Sequence, residues 1–133
     1  ALAAAALAAP AAAALEADGQ VHELTASSFD AAIRRHELSF VEFYAPWCGH
    51  CQKLAPEWDR LAELARAAGI PVAKVDATSN KKLAEKHGVE SFPTLKLYHS
   101  DPEVSKSYGG PRTADKMAEW AALWRGGPPL ERP

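Results

Sequence analysis

Short apolar runs and longer stretches of helical period alternate between Gln20 and Trp124. Val21 and Leu24 mark a strand over Gln20–Thr25, and Ser27 or Ser28 offers an N-cap for a helix carrying Phe29, Ala32 and Ile33. Ser39–Ala45 is rich in β-formers and reads as a central strand closed by Pro46. Beyond it Leu54, Trp58, Leu61, Ala65 and Ala68 recur at helical spacing, so a helix opens at the cysteines and stops at Gly69. Pro56 falls inside that helix, where it removes a backbone donor and is expected to bend the axis. Ile70–Ala77 gives another strand, and Asn80–His87 a short helix ended by Gly88. Thr94–His99 alternates and pairs with Lys106–Tyr108 as a hairpin through Ser100-Asp101-Pro102. Thr113 is placed to cap a last helix whose Met117, Trp120, Ala121 and Trp124 share one face.

Strand, helix, strand in that order implies a right-handed parallel crossover laying Ile70–Ala77 beside Ser39–Ala45. The predicted class is α/β, a central mixed β-sheet flanked by helices on both faces. Ala1–Ala17 breaks the pattern, being nearly all Ala and Leu interrupted by Pro10 and Glu16. It is too short and broken to span a bilayer, which takes about 20 apolar residues, so no stable membrane insertion is expected. The stretch fits either the apolar core and small-residue end of a secretory signal peptide, with Ala12–Ala14 as cleavage context, or low-complexity filler. In both readings residues 1–19 lie outside the folded domain, which is expected over 20–125 with a linker-like tail over 126–133.

Composition narrows the function classes. At 133 residues, with 47% apolar and 24% charged residues, the chain is one globular domain. Fifteen basic against 17 acidic residues leave a formal charge of −2 with no block of one sign. A nucleic-acid partner therefore has no electrostatic support.

The two cysteines, Cys48 and Cys51, sit two residues apart where the central strand turns into the long helix. A thiolate there meets unpaired backbone N–H groups and the positive end of the helix dipole, which lower its pKa below about 8.5. Cys48 is the natural nucleophile, and His50, cationic near neutral pH, would further favour its thiolate and make the pair more oxidising. A zinc site needs four ligands; no third cysteine exists, and His22, His36, His87 and His99 show no ligand spacing. An iron–sulfur cluster on four cysteines is excluded within one chain. A purely structural disulfide closing so small a loop gains little entropy and is strained. Redox chemistry is the expectation, with no metal. Glu42 is a second signal, because a carboxylate in an apolar central strand is costly to bury ionised and should have a raised pKa.

Four segments in order resemble the catalytic thioredoxin-fold domain of the protein disulfide isomerase family over Val21 to Trp124. They are Phe40 through Cys51, Lys74-Val75-Asp76-Ala77-Thr78, Phe92-Pro93-Thr94-Leu95-Lys96 and Tyr108-Gly109-Gly110-Pro111-Arg112. The resemblance implies a single thioredoxin-like catalytic domain using Trp47-Cys48-Gly49-His50-Cys51. It makes Glu42, with Lys74 nearby, the acid that exchanges protons with Cys51 through water. It makes Pro93 a cis-proline packed against the disulfide and leaves the Phe92 backbone free to pair with an extended substrate beside Trp47. It gives Arg112 the part of an arginine that swings toward the second cysteine and lowers its pKa during reoxidation. Two residues depart from the family pattern: Gln52 stands where a lysine commonly follows the second cysteine, and Ser91 where a glycine often precedes Phe-Pro.

The activity so implied is thiol–disulfide oxidoreductase and isomerase chemistry on unfolded or misfolded cysteine-containing proteins. Its cofactor is none beyond the Cys48–Cys51 disulfide, glutathione or an oxidase is its redox partner, and its compartment is the endoplasmic reticulum lumen or secretory pathway. Two rivals are a thioredoxin-type protein reductant and a non-enzymatic client-binding chaperone module. The last residues, Glu131-Arg132-Pro133, are no Lys-Asp-Glu-Leu-like address, which fits a fragment of a longer protein. Separately, the domain is expected to be monomeric or part of a multidomain chain.

Overall fold

The computed structural model describes residues 14–127. Strands β1 (Val21–Leu24), β2 (Leu38–Tyr44), β3 (Val72–Asp76), β4 (Thr94–His99) and β5 (Ser105–Ser107) form one sheet in the order β1-β3-β2-β4-β5. β3 runs parallel to both β1 and β2, while β4 is antiparallel to β2 and β5 antiparallel to β4. The expected crossover is thus present: helix α2 (Gly49–Arg66) carries the chain from β2 to β3. Helices α1 (Phe29–Arg34), α3 (Lys81–Lys86) and α4 (Ala114–Ala122) complete the fold.

Two cores follow from the pleat, which sends successive residues of β2 to opposite faces. Phe40 lies with Leu54, Trp58 and Leu61 of α2 and Met117 of α4. Val41 and Phe43 lie with Phe29 and Ile33 of α1 and Leu83 of α3. Because β2 is central and covered on both faces, it is apolar throughout except at Ser39 and Glu42, both buried. Trp58 ties α2 to the sheet, its Nε1 donating to the Ala73 carbonyl at 3.0 Å.

Several sequence expectations are corrected by long-range contacts. The N-terminal segment is not wholly outside the fold: Leu15 is fully buried among Leu24, Phe29 and Ile33, and its carbonyl lies 2.7 Å from His36 Nε2. Glu16 pairs with Arg35 at 3.0 Å. An apolar side chain ends an otherwise featureless Ala stretch there, and tertiary packing uses it. The rest of the signal-like segment, residues 1–13, lies outside the described residues, as does the tail after 127. Ser28 stands at the N-cap of α1 but its side chain does not cap; Ser28 Oγ accepts from the Thr25 N–H instead, at 3.0 Å. Thr113 likewise makes no side-chain cap, and the N–H of Ala114 donates to Glu57 Oε1 of α2 at 2.7 Å. The edge strand is Ser105–Ser107 rather than Lys106–Tyr108, although Tyr108 N–H still donates to the Leu95 carbonyl at 2.9 Å. Trp124 falls in the turn after α4 and packs on the same core.

Candidate active site

β2 ends at Tyr44, and the next turn delivers Cys48 to the N-cap of α2 in extended conformation, with its N–H donating to the Ala45 carbonyl at 3.1 Å. The cap backbone leaves the first N–H groups of α2 pointing at the Cys48 sulfur. The Cys51 N–H, then the Cys51 thiol, and further the His50 N–H and the Arg112 charge hold the Cys48 thiol below its ordinary pKa. The His50 backbone N–H acts on the sulfur, and its ring is exposed. Gly49 has no positive φ, and a Cβ there would meet nothing within 4 Å, so its backbone does not require glycine.

Cys51 is different. It is 5% exposed, and burial pushes its thiol up to about 12, with the Cys48 sulfur and the Glu42 carboxylate adding to the shift and the Ala45 backbone opposing it. Both cysteines are free thiols. Cys48 is the more accessible, and the more acidic of the two.

Glu42 is 4% exposed, on the face of β2 that α2 covers. Burial raises its carboxyl to about 7, against the opposing pull of the Lys74 ammonium. Register places three charged residues in a row across the sheet: Glu23 of β1 opposite Lys74 of β3, and Lys74 opposite Glu42 of β2. The Lys74 Nζ also stands 5.3 Å from the Tyr44 ring centroid, and the Tyr44 hydroxyl donates to Glu23 Oε2 at 3.0 Å. Glu42, Lys74, Tyr44 and Cys51 line one cavity of about 140 Å³, whose rim includes Gln52. Gln52 donates from Nε2 to the Pro46 carbonyl at 3.0 Å, bracing the turn before Cys48. Tyr44 and Glu23 escaped the sequence reading; the row is set by strand register, which local spacing does not carry.

On the other side of Cys48, the Phe92–Pro93 peptide is cis and Pro93 is buried. Cys48 Sγ donates to the Phe92 carbonyl at 3.7 Å. Trp47 is 70% exposed and meets the Phe92 ring edge-on with centroids 6.0 Å apart, making an aromatic ledge beside the sulfur. Ser91 is exposed and its carbonyl accepts from Thr94 Oγ1 at 2.7 Å. Arg112 is exposed before α4, and its charge bears on Cys48 and Glu42; it is not among the groups acting most on Cys51. The structure therefore brings Trp47, Cys48, Cys51, Glu42, Lys74, Phe92 and Pro93 together, with Arg112 at the periphery.

Residues 20–122 match the thioredoxin family. Over 104 residues the chain is 50% identical to protein disulfide isomerase-like 5-3 of Oryza sativa subsp. japonica, covering 77% of this chain and 24% of that protein. Over 109 residues it is 43% identical to a protein disulfide-isomerase of Ricinus communis, covering 79% of this chain and 22% of that one. The chain thus spans about a quarter of the curated relatives it matches. Among solved structures, the first thioredoxin domain of mouse protein disulfide-isomerase A4 superposes with a TM-score of 0.75 at 29% identity, covering 98% of this chain and 96% of that one. The chain belongs to the thioredoxin family, as a single thioredoxin-fold domain similar to those of protein disulfide isomerases.

Proposed function

We propose that this domain forms, reduces and rearranges disulfide bonds in unfolded or misfolded client proteins, with Cys48 as nucleophile and Cys51 as resolving thiol. The observation that carries this reading is the asymmetry of the pair: an accessible, acidified Cys48 beside a buried, hard-to-ionise Cys51 that shares a cavity with Glu42.

In reduction, the Cys48 thiolate attacks a client disulfide, forming a Cys48–client disulfide and releasing one client thiolate. The Cys51 thiol then gives its proton to the Glu42 carboxylate through a water in the cavity. Its sulfur attacks Cys48, forming the Cys48–Cys51 disulfide and expelling the second client thiolate. The pair loses two electrons and the client gains them; oxidation runs the same steps backwards. In isomerisation the client's own thiolate displaces Cys48, and no net electrons move. A Glu42 carboxyl raised to about 7 is close to half ionised near neutral pH, so it can take up and return the proton. Without it, a Cys51 thiol pushed up to about 12 would rarely be a thiolate.

The exposed Trp47 and the cis Phe92–Pro93 turn form the surface where an extended client would lie, its backbone pairing with Phe92 in the manner of strand addition. Arg112 acts as a mobile cation that favours cysteine ionisation during reoxidation. Electrons are carried by the two sulfurs, so the proposed cycle uses no metal or organic cofactor, with glutathione or an oxidase closing it. Kinship with protein disulfide isomerases supports the endoplasmic reticulum lumen or secretory pathway as the compartment. The test is recovery of activity by a scrambled, fully oxidised multi-disulfide protein in a glutathione buffer. The chain should restore it and Cys48→Ser should not; reduction without rearrangement would instead mark a protein reductant.

A further inference from the structure

We infer that Glu23 is a positioning residue for Glu42: it holds the Tyr44 ring across β3, and the ring keeps the Lys74 ammonium off the Glu42 carboxylate. The inference deepens the proposed function, since it rests on Glu42 as the proton acceptor of Cys51.

Alternate residues of a strand share a face, and residues opposite one another on paired strands point the same way. Glu42 and Tyr44 of β2 therefore lie on one face with Lys74 and Asp76 of β3 and Glu23 of β1. β1 stands two strands away from β2, about 10 Å at the usual spacing. The Tyr44 hydroxyl nevertheless reaches Glu23, at 3.1 Å from Oε1 and 3.0 Å from Oε2. Its ring makes that reach by lying over β3, and there the Lys74 Nζ stands 5.3 Å from the ring centroid. Asp76, opposite Tyr44, accepts from Thr78 instead.

Lys74 lies in register between Glu23 and Glu42, yet its ammonium forms an ion pair with neither among the described residues. It rests against the aromatic ring, in the wall of the cavity that Glu42 and Cys51 share. That placement matters chemically. A lysine in direct contact would hold Glu42 ionised and make it a weak base, whereas a proton acceptor works best with a pKa near the operating pH. With Lys74 held off, burial raises the Glu42 carboxyl to about 7 against the pull of that cation. The other charges bearing on Glu42 are Glu23 of β1 and Asp59 of α2, which favour its neutral form, and Arg112, which opposes them. The Cys51 thiol of α2 lines the same cavity.

The test is the pH titration of the Glu42 side-chain carboxyl, followed by carbon-13 NMR in the oxidised chain so that no thiol titrates alongside it. Tyr44→Phe removes the hydroxyl but no charge. It should free the ring, let Lys74 close on Glu42 and lower the midpoint by about one pH unit, the size of a nearby opposite charge. Glu23→Ala loses the tie and a negative charge as well, so it should lower the midpoint at least as far. In a Lys74→Met background, whose own midpoint is higher, Tyr44→Phe should change nothing. An unchanged midpoint in Tyr44→Phe, a smaller shift in Glu23→Ala than in Tyr44→Phe, or a Tyr44→Phe shift that persists without Lys74 each overturn the inference. Lost stability in either variant with the titration unmoved would likewise overturn it, leaving Glu23 a structural tie only. The underlying reading fails separately: if Cys51 expels glutathione from a Cys48–glutathione disulfide equally fast in Glu42→Gln between pH 6 and 8, Glu42 is not the acceptor, whatever its midpoint does.

Discussion

Glu42 and Cys51 face the same small cavity between β2 and α2, one a carboxyl that burial raises to about 7 and the other a thiol that burial keeps protonated. This relationship makes a two-part expectation for Glu42→Gln. Turnover should fall, since the resolving thiol loses its base. Stability should move the other way. Glu42 has its carboxyl raised from 4.5 to about 7, so the native state favours the neutral form. That contribution is fully present below pH 4.5 and is lost as pH rises through about 7. The variant should therefore equal the native chain in acid and exceed it above neutrality, by up to about 3 kcal/mol. Urea denaturation between pH 4 and 8 measures the gap; a constant gap would remove the buried-acid account.

Trapping distinguishes the two sulfurs. Cys51→Ser should accumulate Cys48–client mixed disulfides on non-reducing gels, because the resolving attack is gone, whereas Cys48→Ser should trap none. Equal trapping by both variants would contradict the assignment of the nucleophile.

Leu15 offers a test of where the folded unit begins. A fully buried leucine replaced by alanine loses transfer energy and leaves a cavity, so Leu15→Ala should cost about 2–4 kcal/mol in chemical denaturation. A cost under about 0.5 kcal/mol would place Leu15 outside the core.

His87 predicts the acid side of the stability curve. It is buried between Phe29 and Tyr98, with Nδ1 2.8 Å from the Tyr98 hydroxyl, and burial lowers its pKa from 6.5 to about 4. A depressed histidine keeps the native state neutral. Its contribution is present above pH 6.5 and is lost as pH falls toward about 4, a change of about 3 kcal/mol. The double variant His87→Leu, Tyr98→Phe should flatten that limb, and an unchanged slope would assign it to other groups.

The contrast between these residues shows what the chain discloses on its own. The cysteine pair, the buried acid and the order of strands and helices were legible because each rests on local pattern: two cysteines at a strand-to-helix turn, one carboxylate among Phe and Tyr, apolar residues at period two or 3.6. Ser28 and Thr113 misled as caps because a capping residue type is a local signal, while the actual acceptor at α4, Glu57, is distant in sequence. Leu15 and the Glu23–Lys74–Glu42 row were hidden for the same reason, since they depend on packing and register that only the folded sheet supplies.

The most direct test of the central claim is the equilibrium between the Cys48–Cys51 dithiol and disulfide across glutathione buffers. A Cys48 thiolate held by the Cys51 N–H and the start of α2 stabilises the reduced form, which makes the pair oxidising. The account predicts a midpoint near the disulfide-isomerase value of about −180 mV. A midpoint near the thioredoxin value of about −270 mV, roughly 4 kcal/mol more reducing, would contradict it and mark the domain as a protein reductant.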